Sequence, residues 1–170
     1  MTPEKERDAG QRGADRGLRV CVGADHGGFR LKVELLPFIR QLGYACTDLG
    51  VHDDSPSDYP DIAAAGAQAV ASGQADRAVL ICGTGAGMCI AANKVPGAYA
   101  INCTDTYTAR MSRSHNNANV LALGGRVVGP ELAKDIVETW LGTEFSGEPR
   151  HERRVGRVKR IEGGCTNRSD

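Results

Sequence analysis

Several absences narrow the field before any motif is considered. The 170 residues contain no apolar run of the length a membrane span needs. Charge of one sign is also lacking: 21 Lys and Arg stand against 21 Asp and Glu. That balance removes the electrostatic argument for nucleic acid or an anionic membrane as a partner. The first residues, Met1 to Gly17, are charged and lack the apolar centre of a secretory signal, so they read as a disordered leader. The six cysteines (Cys21, Cys46, Cys82, Cys89, Cys103 and Cys165) include no CxxC and no His/Cys cluster with metal spacing. No metal and no cofactor are expected, and the thiols are expected to stay free in a reducing cytoplasm. No GK[ST] follows any glycine turn, which excludes a Walker-type phosphate loop.

What the chain does have is alternation. Leu18 to Ala24 is a short apolar, β-branched run that reads as a buried strand, and Phe29 to Leu42 carries a helical pattern closed by Gly43. Tyr44 to Leu49 is a second strand, followed by a polar loop, Val51 to Tyr59. Pro60 suits the first turn of an alanine-rich helix ending near Gly73. Further strands are expected at Arg77 to Ile81, Ala98 to Asn102 and Asn119 to Leu123. Helices are expected from Met88 towards Pro96, from about Thr106 to His115, and from Pro130 to Leu141. An Arg-rich tail, Phe145 to Ile161, reads as a helix with little to bury. One domain therefore spans 18–161, and 162–170 reads as a disordered end. Strands alternating with helices give an α/β fold, a doubly wound five-stranded parallel sheet of Rossmann or flavodoxin-like type, order 2-1-3-4-5, with a C-terminal helical tail.

The stretch Ala78 to Pro96 is where chemistry concentrates. A buried strand breaks into Cys82-Gly83-Thr84-Gly85-Ala86-Gly87 and then into helix, the geometry in which backbone N–H groups converge on an anion. A thiol at the lip of such a turn is placed to act as a base or nucleophile. The bland alternative is that Cys82 is a small buried hydrophobe. In the expected strand order the switch point lies between strands one and three, so the Asp25-His26 loop and the Cys82 loop should face each other at the carboxyl ends. His115 ends its helix at the opposite edge of the sheet. Either it is a histidine favoured by the helix dipole, or it serves a neighbouring subunit's site. Arg150 and Arg154, four apart, share one helical face and suit a phosphate, or else belong to a solvated helix. Arg126, after a Gly-Gly turn, is a further cation of the same kind. This inventory fits proton transfer on a phosphorylated small molecule.

In order and spacing, several motifs resemble the type B ribose-5-phosphate isomerase family, which also contains galactose-6-phosphate isomerase subunits and allose-6-phosphate isomerases. They are Gly23-Ala24-Asp25-His26-Gly27-Gly28, Asp58-Tyr59-Pro60, Cys82-Gly83-Thr84-Gly85-Ala86-Gly87 with Ala91-Ala92-Asn93-Lys94, His115-Asn116 and Gly125-Arg126-Val127-Val128-Gly129. The resemblance covers roughly Leu18 to Ile161. It implies that Cys82 is the base that moves the proton between C2 and C1 of the open-chain sugar, and that Thr84 moves a proton between the two oxygens. It also implies that the amides of Gly83, Gly85 and Gly87 hold the cis-enediolate, and that His115 opens the furanose ring with Asn116 binding beside it. Asp25 and Tyr59 match sugar contacts; His26, Arg150, Arg154 and Arg126 match the phosphate side. Part of the family uses a glutamate just after the turn instead of the cysteine. That position is Met88 here, so the chain resembles the cysteine-using branch. The expected partner is a second copy, as a homodimer or a tetramer, with the site shared between subunits. Ribose 5-phosphate is the default substrate, while allose 6-phosphate, galactose 6-phosphate and erythrulose 4-phosphate remain open. Other readings are a non-catalytic sugar-phosphate binder and a flavodoxin-like nucleotide module.

Overall fold

The computed structural model describes residues 17–164. The readings of residues 1–16, and of the end beyond Gly164 with Cys165, lie outside the described residues. In chain order the elements are β1 (Arg19–Ala24), α1 (Phe29–Gln41), β2 (Ala45–Asp48), α2 (Tyr59–Ala71), β3 (Arg77–Cys82), α3 (Ala86–Ala92) and β4 (Ala100–Asn102). They continue with α4 (Thr106–Asn116), β5 (Val120–Gly124), α5 (Pro130–Gly142) and α6 (Pro149–Glu162). All strand pairs are parallel, with Val22 opposite Val79 and Leu80 opposite Ala122. Among the described residues no helix is long and apolar enough to cross a membrane.

The two-residue period of the strands sorts their side chains into two cores. Val20, Val22, Val79, Ile81, Leu121 and Leu123 pack on one face with α1 and α5, around the fully buried Trp140. Cys21, Leu80, Cys82 and Ala122 point to the other face, under α2 and α3. The helices of that second face are built from small residues so that they can lie close. A β-carbon at Gly66 of α2 would stand 2.7 Å from a methyl of Leu80. Each Leu or Ile so buried contributes about 1.5–3 kcal/mol relative to exposure.

The sheet order is β2-β1-β3-β5-β4, which corrects the expected 2-1-3-4-5 in its last two places. Burial explains the exchange. Every residue of β5 is buried, so it takes the interior slot against β3, whereas β4 has three partly exposed residues and suits an edge. Asn93 dresses that edge. Its Nδ2 donates to the Ala100 carbonyl at 2.9 Å and its Oδ1 accepts from the Ala100 N–H at 2.9 Å. The expected switch point between β1 and β3 is present, and it sets where a ligand can sit. The helix after the glycine turn is shorter than expected, seven residues ending at Ala92.

Candidate active site

Two sets of polar residues stand out, and the topology puts them at opposite ends of the sheet. The first gathers at the carboxyl ends of β1, β3 and β5. Asp25, 6% exposed, accepts the Gly28 N–H on Oδ1 at 3.0 Å, which closes the β1–α1 turn on itself. That turn lies directly on the next one, because a β-carbon at Gly27 would stand 3.0 Å from the Gly83 nitrogen. The Asp25 and Cys82 loops therefore meet, as the switch-point argument requires.

Cys82 is buried, 5% exposed, and its Sγ accepts the Gly85 N–H at 3.1 Å. A donor aimed at sulfur stabilises negative charge there. The β5 turn is laced to the same strand end: Gly125 N–H donates to the Cys82 carbonyl at 2.8 Å and Arg126 N–H to the Gly83 carbonyl at 3.0 Å. This lacing lays the Arg126 side chain over Gly83, 3.6 Å from where a β-carbon would be. Tyr59, at the start of α2, packs its ring over Gly87, which a β-carbon would approach to 2.8 Å. Thr84 is exposed, its Oγ1 facing the Ala86 N–H at 3.4 Å. His26 is exposed as well. Its N–H donates to Ser57 Oγ at 3.1 Å, and its Nδ1 lies 3.2 Å from the Ser57 N–H and 3.3 Å from the Ser57 carbonyl. A thiol, a hydroxyl, two cationic or imidazole groups and a row of turn amides thus share one end of one chain.

The second set lies at the C-terminus of α4 and the start of α6. His115 is half-buried, with its ring centroid 4.2 Å from that of His151. Asn116 and Arg154 line a groove of about 340 Å³ together with Tyr99, Val155 and Val158. Arg150 lies on the same helix and donates to Glu148 at 2.8 Å. The α4 terminus is pinned from within by Arg113, 1% exposed, which donates to the Ala118 carbonyl, to Asn117 Oδ1 at 3.0 Å and to the Thr143 carbonyl at 3.3 Å. Burial pushes that guanidinium down to about 10, and Arg77 nearby adds to the effect. Because the strands are parallel and α4 runs back to feed β5, His115 stands at the amino ends of the strands. Cys82 stands at the carboxyl ends.

Three residues escaped the sequence reading. His151 falls in the Arg-rich tail that reads as a helix with little to bury, yet it is 2% exposed and its Nδ1 lies 2.7 Å from Ser146 Oγ. Nothing local marks it, since its sequence neighbours are arginines and a glutamate. Lys32, 1% exposed, donates to Asp48 Oδ1 at 2.7 Å and to the Val51 carbonyl at 2.5 Å, bracing the loop that carries Ser57. Its spacing with Leu35, Leu36 and Ile39 on the buried face was the available signal. Asn102 is the third. Burial raises the Asp48 carboxyl, but the Lys32 and Gly50 donors outweigh it and hold the group below the usual range. Cys21 and Cys103 are pushed up to about 11 and about 12 by burial, and both lie in the two cores.

His151 carries a consequence for pH. Burial, then the neighbouring His115 and Arg150, lower its pKa from the ordinary 6.5. The folded chain therefore keeps His151 neutral where the unfolded chain would bind a proton. The stability this gives is fully present above about 6.5 and is lost as pH falls through the lowered folded value. Melting temperature should thus drop between pH 7 and pH 5 more steeply in the wild type than in His151→Gln. Parallel slopes would refute it.

A family model described as Ribose/Galactose Isomerase matches residues 20–158 of this chain. The chain is 46% identical over 144 residues to the ribose-5-phosphate isomerase B of Escherichia coli (strain K12), covering 85% of this chain and 96% of that protein. It is also 46% identical over 131 residues to the D-erythrulose-4-phosphate isomerase of Pectobacterium atrosepticum, covering 76% of this chain and 86% of that one. Among solved structures, the ribose-5-phosphate isomerase B of Clostridium thermocellum superposes with a TM-score of 0.84 at 53% identity, covering 86% of this chain and 99% of that one.

Proposed function

The chain belongs to the ribose/galactose isomerase family and is a sugar-phosphate isomerase; we propose that it interconverts ribose 5-phosphate and ribulose 5-phosphate. The observation that carries the mechanism is the Gly85 N–H aimed at Cys82 Sγ at 3.1 Å, at the base of the turn. In this reading the Cys82 thiolate takes the proton from C2 of the open-chain aldose and returns it to C1. The Thr84 hydroxyl moves the second proton between O1 and O2. The charge that develops on the enediolate is met by the amides of Gly83 to Gly87, donors that need no reorganisation when the charge appears. Asp25 and Tyr59 bound the sugar, and Arg126 and His26 face its phosphate.

The remaining step, opening of the furanose, falls to His115 with Asn116 beside it. Within one chain these stand at the far end of the sheet from Cys82, so we assign them to the site of a second subunit. A two-fold dimer repeats the arrangement and makes two such sites. Arg150 and Arg154, on the α6 of that second subunit, would then reach the phosphate together with Arg126. The cytoplasm is the compartment this chemistry suits.

A four-carbon sugar phosphate is the second reading, supported by the equal identity to the Pectobacterium atrosepticum enzyme. The test is a panel of ribose 5-phosphate, allose 6-phosphate, galactose 6-phosphate and erythrulose 4-phosphate. Ribose 5-phosphate should give the highest kcat/KM by at least an order of magnitude. A higher value on any other sugar would move the substrate assignment to that sugar, and no turnover on any would refute the proposed reaction.

A further inference from the structure

We propose that Asn102 is a positioning residue for the Cys82 thiol, acting through the peptide group that joins Thr84 to Gly85. The inference rests on the reading of Cys82 as the base. Asn102 ends β4, an edge strand separated from β3 by β5. Its side chain nevertheless crosses to the glycine turn, and Nδ2 donates to the Thr84 carbonyl at 3.1 Å. The crossing is open because β5 ends in a glycine: a β-carbon at Gly124 would stand 2.8 Å from both the carbonyl carbon and the oxygen of Thr84.

A trans peptide is planar, and its C=O and N–H point in opposite directions. Holding the Thr84 carbonyl towards Asn102 therefore fixes the Gly85 N–H in the opposite sense, and that N–H is the one that meets Cys82 Sγ at 3.1 Å. The two bonds are the two ends of one rigid unit. A rotation of the peptide that frees the carbonyl also withdraws the donor from sulfur. Gly85 has φ +80, and a β-carbon there would lie 2.8 Å from Asn102 Cγ, so the turn is shaped around this side chain.

The rest of Asn102 points the same way. Its Oδ1 is buried with no hydrogen-bond partner among the described residues. Leaving a buried acceptor unpaired costs stability, so this residue is a poor choice for packing alone. Turning the amide over would set oxygen against the Thr84 oxygen and lose the bond from Nδ2. What the side chain contributes is its donor, and the donor serves the turn.

The full-length protein with Asn102→Leu and Asn102→Asp tests this. The probe is iodoacetamide at neutral pH, without substrate, followed by mass measurement of the peptide that holds Cys82. Alkylation of Cys82 should slow by roughly ten-fold in both variants, the worth of one hydrogen bond to a charged group. For the sugar phosphate that the wild type turns over best, kcat should fall by a similar factor while KM stays within about two-fold. Melting temperature should hold or rise in Asn102→Leu, because the unpaired oxygen is gone. If Asn102→Leu fails to fold, the near-isosteric Asn102→Asp carries the same expectation. Alkylation within two-fold of wild type in the folded variants would overturn the proposal. The alkylation readout involves no turnover, so it stands apart from the role of Cys82 in catalysis, which Cys82→Ala decides on its own.

Discussion

Cys82→Ala should abolish isomerisation while leaving affinity for the sugar phosphate within a few-fold. Loss of a positioned general base costs about 10²–10⁴ in rate, and no other thiol stands in this turn to replace it. In the proposed site binding rests on other groups: the turn amides, Arg126 over Gly83, Tyr59 over Gly87 and the Asp25 loop all remain. Some penalty is expected, since the Gly85 N–H loses its acceptor and the turn relaxes slightly. Calorimetric titration with ribose 5-phosphate beside a turnover assay separates the two effects. Equal losses in both would make Cys82 a structural residue. The variant also tests the shared site. When it is unfolded and refolded together with equal His115→Ala, mixed dimers each hold one site with both groups intact, so activity should return to about a quarter of wild type. No recovery would place His115 and Cys82 in the same site of one chain.

Gly28→Ala should destabilise the fold by more than about 3 kcal/mol or prevent folding, the mark of a backbone collision in a place that cannot give. Gly28 caps α1 with φ −106, a conformation alanine adopts freely, so conformation is not the obstacle. Space is. A β-carbon would press on the Ile81 carbonyl oxygen and come within 2.6 Å of its carbon. Ile81 is held between Ala24 of β1 and Leu123 of β5, so the strand cannot retreat without unpairing. On an open position the same substitution stabilises by about 0.4–1 kcal/mol through the unfolded chain. Gly129, likewise a helix N-cap, at φ −71 with nothing among the described residues within 4 Å of a β-carbon, is the matching control. Chemical denaturation of both variants decides it. A Gly28→Ala protein as stable as Gly129→Ala would mean that the two loops of the site do not lie as close as described.

How much of this was legible in the sequence depends on how local each signal is. The strand into Cys82, the turn after it and the Asp25 loop could be read because each is announced by its own residues. Their meeting followed from the topology of the first three strands. The exchange of β4 and β5 was not legible, because Ala98 to Asn102 and Asn119 to Leu123 are comparably apolar runs. What separates them is that only the second finds partners on both sides. His151 was hidden for a related reason: an imidazole among arginines reads as surface until Ser146 and His115 close over it. Lys32 was the reverse case, a charge on an apolar helix face whose partner, Asp48, comes from the next strand.

The small detail at Asn93 bears on how this molecule keeps to itself. A side-chain amide offers a strand the same donor and acceptor that a neighbouring backbone would, but it has no far side from which another strand can continue. Fibrils grow by one backbone templating the next, and an uncovered edge is where they begin. At Ala100 that invitation is already answered from within the chain. At this edge, another copy is left to approach through side chains, where shape and charge choose the partner, and not through a backbone ladder that accepts almost any sequence.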